Sequence, residues 1–112
     1  MFKSTRNSGF QMTFKNGITI SVQFSAISYC ERRDLNAPIQ SEMKMDRVES
    51  NTAEIAIWDK EGTWFDFGHD TVKGWVDADE VATWITLCTA ATSLDDLRTR
   101  AIACEMMAKI ED

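Results

Sequence analysis

Apolar and polar positions alternate along Phe10-Gln-Met-Thr-Phe14 and again along Ile18-Thr-Ile-Ser-Val-Gln-Phe24. A period of two sends successive side chains to opposite faces, so each run reads as a strand with one apolar face. Asn16-Gly17 between them signals a hairpin turn. Loop length then fixes the register. A two-residue Asn-Gly turn would set Phe14 opposite Thr19 and Met12 opposite Ser21, mixing the faces. A three-residue Lys15-Asn16-Gly17 loop with Gly17 in the left-handed region sets Phe14 against Ile18, Met12 against Ile20 and Phe10 against Val22. Only the second choice leaves one face wholly apolar, and it is the one expected.

The same device recurs downstream. Thr52 to Trp58 and Thr63 to Phe67 are strand-like runs separated by Asp59-Lys-Glu-Gly62. A three-residue loop ending in a left-handed Gly62 pairs Trp58 with Trp64, Ile57 with Phe65 and Ile55 with Phe67. One face then holds Ile55, Ile57, Phe65 and Phe67; the other holds Trp58 and Trp64 beside Ala56 and Asp66.

The period changes to three and four after residue 77. Asp77-Ala-Asp-Glu80 has the spacing of a capping box, with Asp77 as N-cap and Glu80 reaching back. Val81, Trp84, Ile85 and Cys88 follow as one helical stripe. Ser93-Leu-Asp-Asp96 opens a second helix whose stripe is Leu94, Leu97, Ala101, Cys104 and Ala108, widened by Ile102, Met106 and Ile110. Its early Asp95 and Asp96 suit the positive end of the helix dipole.

Two stretches carry no clear period. Residues 25–51 hold the chain's single proline, Pro38, and the charged run Cys30-Glu-Arg-Arg-Asp34. A connection of that length is either functional or partly disordered. Gly68-His-Asp-Thr-Val-Lys-Gly-Trp75 reads as a glycine-bounded link into the first helix. The whole predicts one α+β domain spanning residues 1–112. Two β-hairpins, at about 10–24 and 52–67, form a four-stranded antiparallel sheet. The irregular loop 25–51 joins them, and helices at about 78–91 and 94–110 pack on one face of the sheet.

Composition narrows the function classes. The 112 residues carry a net charge of −6, which argues against non-specific binding to nucleic acid and permits docking on a basic protein surface. Acids and bases alternate between Glu31 and Glu54, as on a solvated mixed-charge surface. Nothing approaches the length of an apolar membrane span, and Met1 to Gly9 lacks the apolar run of a signal peptide. Three cysteines at irregular spacing, Cys30, Cys88 and Cys104, are expected to be free thiols in a reducing cytoplasm.

Catalytic chemistry is hard to assemble from this sequence. The single histidine, His69, lies near Asp66 and Asp70 but near no recognisable nucleophile motif. The cysteines and His69 lack the short paired spacings of zinc sites, and no phosphate loop or dinucleotide fingerprint is present. Neither an enzyme nor a cofactor is expected. Two features suit recognition instead. Tyr29 with Arg32 and Arg33 could clamp a phosphate or stack on a base. The tryptophans Trp58, Trp64 and Trp75 could anchor a protein interface or fill a core, and Trp58 and Trp64 should lie on the sheet face opposite Trp84.

A further run of residues resembles a known group of sequences. Phe10-Gln-Met-Thr-Phe14, Asn16-Gly17, Ser21-Val-Gln23 and Tyr29-Cys30 resemble the start of a family of small uncharacterised bacteriophage-encoded proteins. Thr52-Ala-Glu-Ile-Ala56, Trp58-Asp59, Gly62, Trp64, Asp70-Thr-Val72, Gly74 and Glu80-Val81 continue the resemblance, which covers roughly residues 2–85. It implies expression inside an infected bacterium and carries over no site residue. The expectation is a non-enzymatic protein that inhibits a host protein, such as an anti-phage defence component, through a Trp58/Trp64 face. The alternative is an oligomeric sponge for a nucleotide-like immune signal, with Tyr29, Arg32 and Arg33 as its clamp.

Overall fold

Gly17, at φ 87°, closes a three-residue turn, with Phe14 N–H donating to Ile18 O at 2.9 Å and Gly17 N–H to Phe14 O at 2.9 Å. Strand β2 (Gly9–Thr13) therefore pairs with β3 (Thr19–Gln23) with Phe10 opposite Val22 and Met12 opposite Ile20, the register the apolar pattern requires. The computed structural model describes residues 1–6, 8–36 and 47–111, with side chains through Glu105.

The sheet has five antiparallel strands in sequence order, not four. The added edge is β1 (Phe2–Ser4), which pairs Phe2 with Met12 and Ser4 with Phe10. Three residues are too few to display an alternating pattern, and the pairing is helped by the N-terminal ammonium donating to Thr13 O at 2.7 Å. Strand β4 (Thr52–Trp58) sits beside β3, with Ile20 opposite Ile57 and Val22 opposite Ile55.

The second hairpin differs from expectation. Gly62, at φ 82°, closes the turn as foreseen, and a single bridge joins Trp58 to Trp64. The run 63–67 then leaves the sheet after Phe65 N–H donates to Ile57 O at 2.8 Å. The strand beside β4 is instead β5 (Lys73–Asp77), inside the glycine-bounded link, so Ile55 opposes Lys73 rather than Phe67. A bulge between Ala53 and Ile55 breaks the register of this pair, and Trp75 within it adopts a left-handed φ of 51°. Both effects erase the two-residue period by which a strand is read.

Helix α1 (Ala78–Ala90) crosses the apolar face and buries Val81, Trp84 and Cys88 against it. Ile20, Ile55 and Ile57 beneath it are fully buried. Each such side chain contributes about 1.5–3 kcal/mol on leaving water. Phe65 and Phe67 stay with the core although they are not in a strand, at ring-centroid distances of 5.9 and 5.1 Å from Trp84. Asp77 caps α1 by accepting from Glu80 N–H at 2.8 Å. The Glu80 carboxylate does not reach back, because Lys73 at 3.0 Å and Trp84 Nε1–H at 3.1 Å hold it.

Helix α2 (Leu94–Glu111) is capped by Ser93, which accepts from Asp96 N–H at 3.0 Å. The Arg100 guanidinium and Thr92 N–H hold the Asp96 carboxyl below its ordinary value. Leu97 is buried, and Leu94 and Ala101 pack on the core, but Ile102 and Cys104 are exposed. Among the described residues the expected stripe packs at Leu94, Leu97 and Ala101; the side chains of Met106, Ala108 and Ile110 lie outside the described residues. So does the part of the irregular loop that carries Pro38.

One side chain locks the sheet to the helices. Asn16, in the hairpin turn, donates from Nδ2 to Cys88 O at 2.7 Å and to Ala91 O at 2.8 Å, and accepts Ile18 N–H at 3.0 Å. It thereby satisfies carbonyls at the end of α1 that have no partner within the helix. Replacing Asn16 with Ala is expected to lower unfolding stability by about 1–3 kcal/mol. A urea midpoint equal to wild type would show that water substitutes for the amide at no cost.

Candidate binding face

The strands that present Ile20, Val22, Ile55 and Ile57 to α1 send Thr19, Ser21, Gln23, Glu54, Ala56 and Trp58 the other way. No described helix lies on that second face. Its floor is made of small residues, Thr19, Ser21 and Ala56, which are buried among larger neighbours. Aromatic side chains stand at two of its margins.

At one margin Trp58, opposite Thr19 on β4, stacks on Trp64 at 5.1 Å between ring centroids and 29° between planes. The bridge between the two backbones holds the rings together, as the three-residue turn predicts. Trp58 is half-buried, whereas Trp64 is 48% exposed.

At the other margin the start of the long loop folds over β4 and β5. Tyr29 N–H donates to Glu54 Oε2 at 2.7 Å, Glu31 N–H to Thr52 Oγ1 at 2.8 Å, and Trp75 N–H to Tyr29 O at 2.8 Å. Tyr29 approaches so closely that a Cβ on Gly74 would lie 2.7 Å from its own. The left-handed backbone at Trp75 sets its indole against Tyr29, with ring centroids 5.8 Å apart. Trp75 is 59% exposed and Tyr29 45%. A tryptophan in this sparsely populated backbone region costs about 1–3 kcal/mol, which the surrounding contacts must offset.

The arginines of the sequence-predicted clamp are engaged inward. Arg33 lies over the Tyr29 ring at 4.3 Å and donates to Ile27 O at 2.8 Å. Arg32 donates to Phe24 O at 2.8 Å. Trp58 with Trp64 and Tyr29 with Arg33 thus come together in space, while Arg32 serves the loop. Pattern reading assigned Trp75 to a connecting link and missed its pairing with Tyr29; the Gly74-Trp75 dipeptide was the available signal, since glycine in a strand marks close approach of another chain segment.

On the helix side, an apolar cleft of about 390 Å³ lies between Phe10, Val22, Phe24, Val76 and Val81. Glu49, Ser50, Asn51 and Thr52 also line it. The thiols are quiet. Cys30 is buried and donates to Ser25 O at 3.5 Å. Burial pushes the Cys88 thiol up from 9.0 to about 12. His69 is exposed, and among the described residues no group of His, Cys, Asp and Glu is arranged to hold a metal ion. No helix among the described residues is long and apolar enough to cross a membrane. No protein-family model, curated protein or solved structure matches this chain.

Of the three thiols, Cys104 alone should react with a water-soluble disulfide reagent in the native protein at neutral pH. Cys30 and Cys88 should react only on unfolding, and rapid native labelling of all three would contradict their burial. The pH dependence follows in sign. The Cys88 thiol ionises near 9.0 in the open chain and near 12 in the fold, so its contribution is complete below pH 9. Stability should fall as pH rises from there toward 12, and Cys88→Ala should flatten that loss.

Proposed function

We propose that this protein binds and inhibits a host protein, without catalysis, through the sheet face edged by Trp64 and Trp75. One observation carries the reading: Trp64 is almost half exposed and stacked on Trp58 at the margin of a face that no described helix covers. A buried tryptophan stabilises a core, but an exposed one held rigidly by a second ring loses little further freedom on binding, and tryptophan is enriched among the residues that dominate interface energetics. Tyr29 and Trp75 supply a second rigid aromatic pair on the same side.

The setting comes from the resemblance to small bacteriophage proteins, and so does the target class, a component of bacterial anti-phage defence. The quiet chemistry of Cys30 and Cys88 supports binding rather than turnover. The sponge reading draws less support. A phosphate clamp needs guanidinium forks free to meet the ligand, and Arg32 and Arg33 each already donate to a backbone carbonyl, of Phe24 and Ile27 respectively.

Trp64→Ala tests the reading. The variant should fold, with a melting temperature lowered by about 4–8 °C at most from loss of the ring stack. It should fail to capture the protein that the wild-type chain retains from bacterial lysate, as seen by native mass spectrometry. Capture of the same partner at equal yield would contradict the proposal, as would an unfolded variant, since Trp64 would then be core.

A further inference from the structure

We infer that the surface at Trp64 recognises an arginine-bearing segment of its partner, the guanidinium seating on the exposed indole. The inference rests on the docking face proposed above and assigns the chemistry of what it binds.

Cations are drawn to the faces of aromatic rings, and more strongly where water is displaced. Among the described residues the fold already uses this preference at three places. Arg33 lies 4.3 Å from the Tyr29 ring, Arg98 lies 4.8 Å from Phe65, and Lys73 lies 5.7 Å from Trp84. Each of these rings receives a cation from the chain itself. The Trp58–Trp64 stack receives none among the described residues.

The charge around that stack favours a cation from outside. The segment 59–70 carries Asp59, Glu61, Asp66 and Asp70 against the single Lys60. Lys60 is already placed: its side chain lies against Gly17, where a Cβ would approach it to 3.1 Å. Asp59, Asp66 and Asp70 each use Oδ1 to accept backbone N–H groups of their own turns. None of the four carboxylates is ion-paired with a described residue. An exposed indole within a segment whose four carboxylates form no ion pair with a described residue, on a chain of net charge −6, attracts arginine and repels an acidic partner. Arginine fits better than lysine because its planar guanidinium stacks on the ring while its edge donates to a carboxylate.

The test uses the full chain and two synthetic hexapeptides. One alternates glycine with arginine; the other replaces each arginine with citrulline, which keeps the planar shape and removes the charge. Binding is followed through the indole N–H resonances by NMR. The arginine peptide should shift the Trp58 and Trp64 signals saturably and leave Trp84, whose N–H is held by Glu80. The citrulline peptide should shift neither. Trp64→Leu and, separately, Glu61→Lys should each weaken binding at least fivefold; the Glu61 side chain forms no ion pair with a described residue. Equal shifts from both peptides, no saturable shift, or unchanged binding by both variants would overturn the inference. A captured host protein that needs Trp64 but presents an acidic surface would also overturn it, while leaving the docking face intact.

Discussion

The register of the β2–β3 hairpin is the constraint on which the rest of the structure depends. A one-residue slip at Lys15-Asn16-Gly17 would send Phe10, Met12 and Phe14 to the opposite side from Ile18, Ile20 and Val22. As built, those residues share one face, β4 adds Ile55 and Ile57 to it, and α1 has a continuous apolar surface on which to lie. The same turn presents Asn16 to the end of α1, so register and helix placement are fixed by neighbouring residues. By exclusion the turn also decides what lies on the other face, where Thr19, Ser21 and Ala56 floor a surface edged by tryptophans.

That division assigns the aromatic residues their roles. Trp84 is enclosed by Phe65, Phe67 and Lys73, and its indole N–H is met by Glu80. Trp58 and Trp64 meet each other across a turn, and Trp75 meets Tyr29 across a loop. Both outer pairs are made rigid by backbone hydrogen bonds rather than by burial. A surface built this way suits binding, because the entropy of ordering large side chains has been spent in folding.

Much of this was legible in the sequence where a period ran unbroken. The first hairpin, its turn geometry, the burial of Val81, Trp84 and Cys88, and the Trp58–Trp64 pairing all follow from spacing. The failures share a physical cause. Strand β1 has three residues, too few for a period. In β5 the bulge opposite Ala53 and Ile55 and the left-handed Trp75 break the alternation, so the segment looked like a link, and the apolar run 63–67 took its place. Phe65 and Phe67 are apolar because they pack on Trp84, not because they pair with β4. The capping box at Asp77 is half realised because Lys73, remote in pattern but near in space, draws the Glu80 carboxylate away. Tyr29 is placed over β5 by its own backbone groups, its N–H meeting the Glu54 carboxylate and its carbonyl accepting from Trp75 N–H, and no side-chain period points to such contacts.

The account's central claim is that Trp64 and Trp75, exposed at the margins of one sheet face in the free protein, are covered in the bound one. Hydroxyl-radical footprinting, comparing the purified chain with the same chain in bacterial lysate, tests it most directly. Trp64 and Trp75 should be oxidised readily in buffer and protected in lysate, with Trp84 shielded in both. Equal oxidation of Trp64 and Trp75 in the two conditions would contradict the claim, and protection of both in buffer would show that the fold itself covers this face.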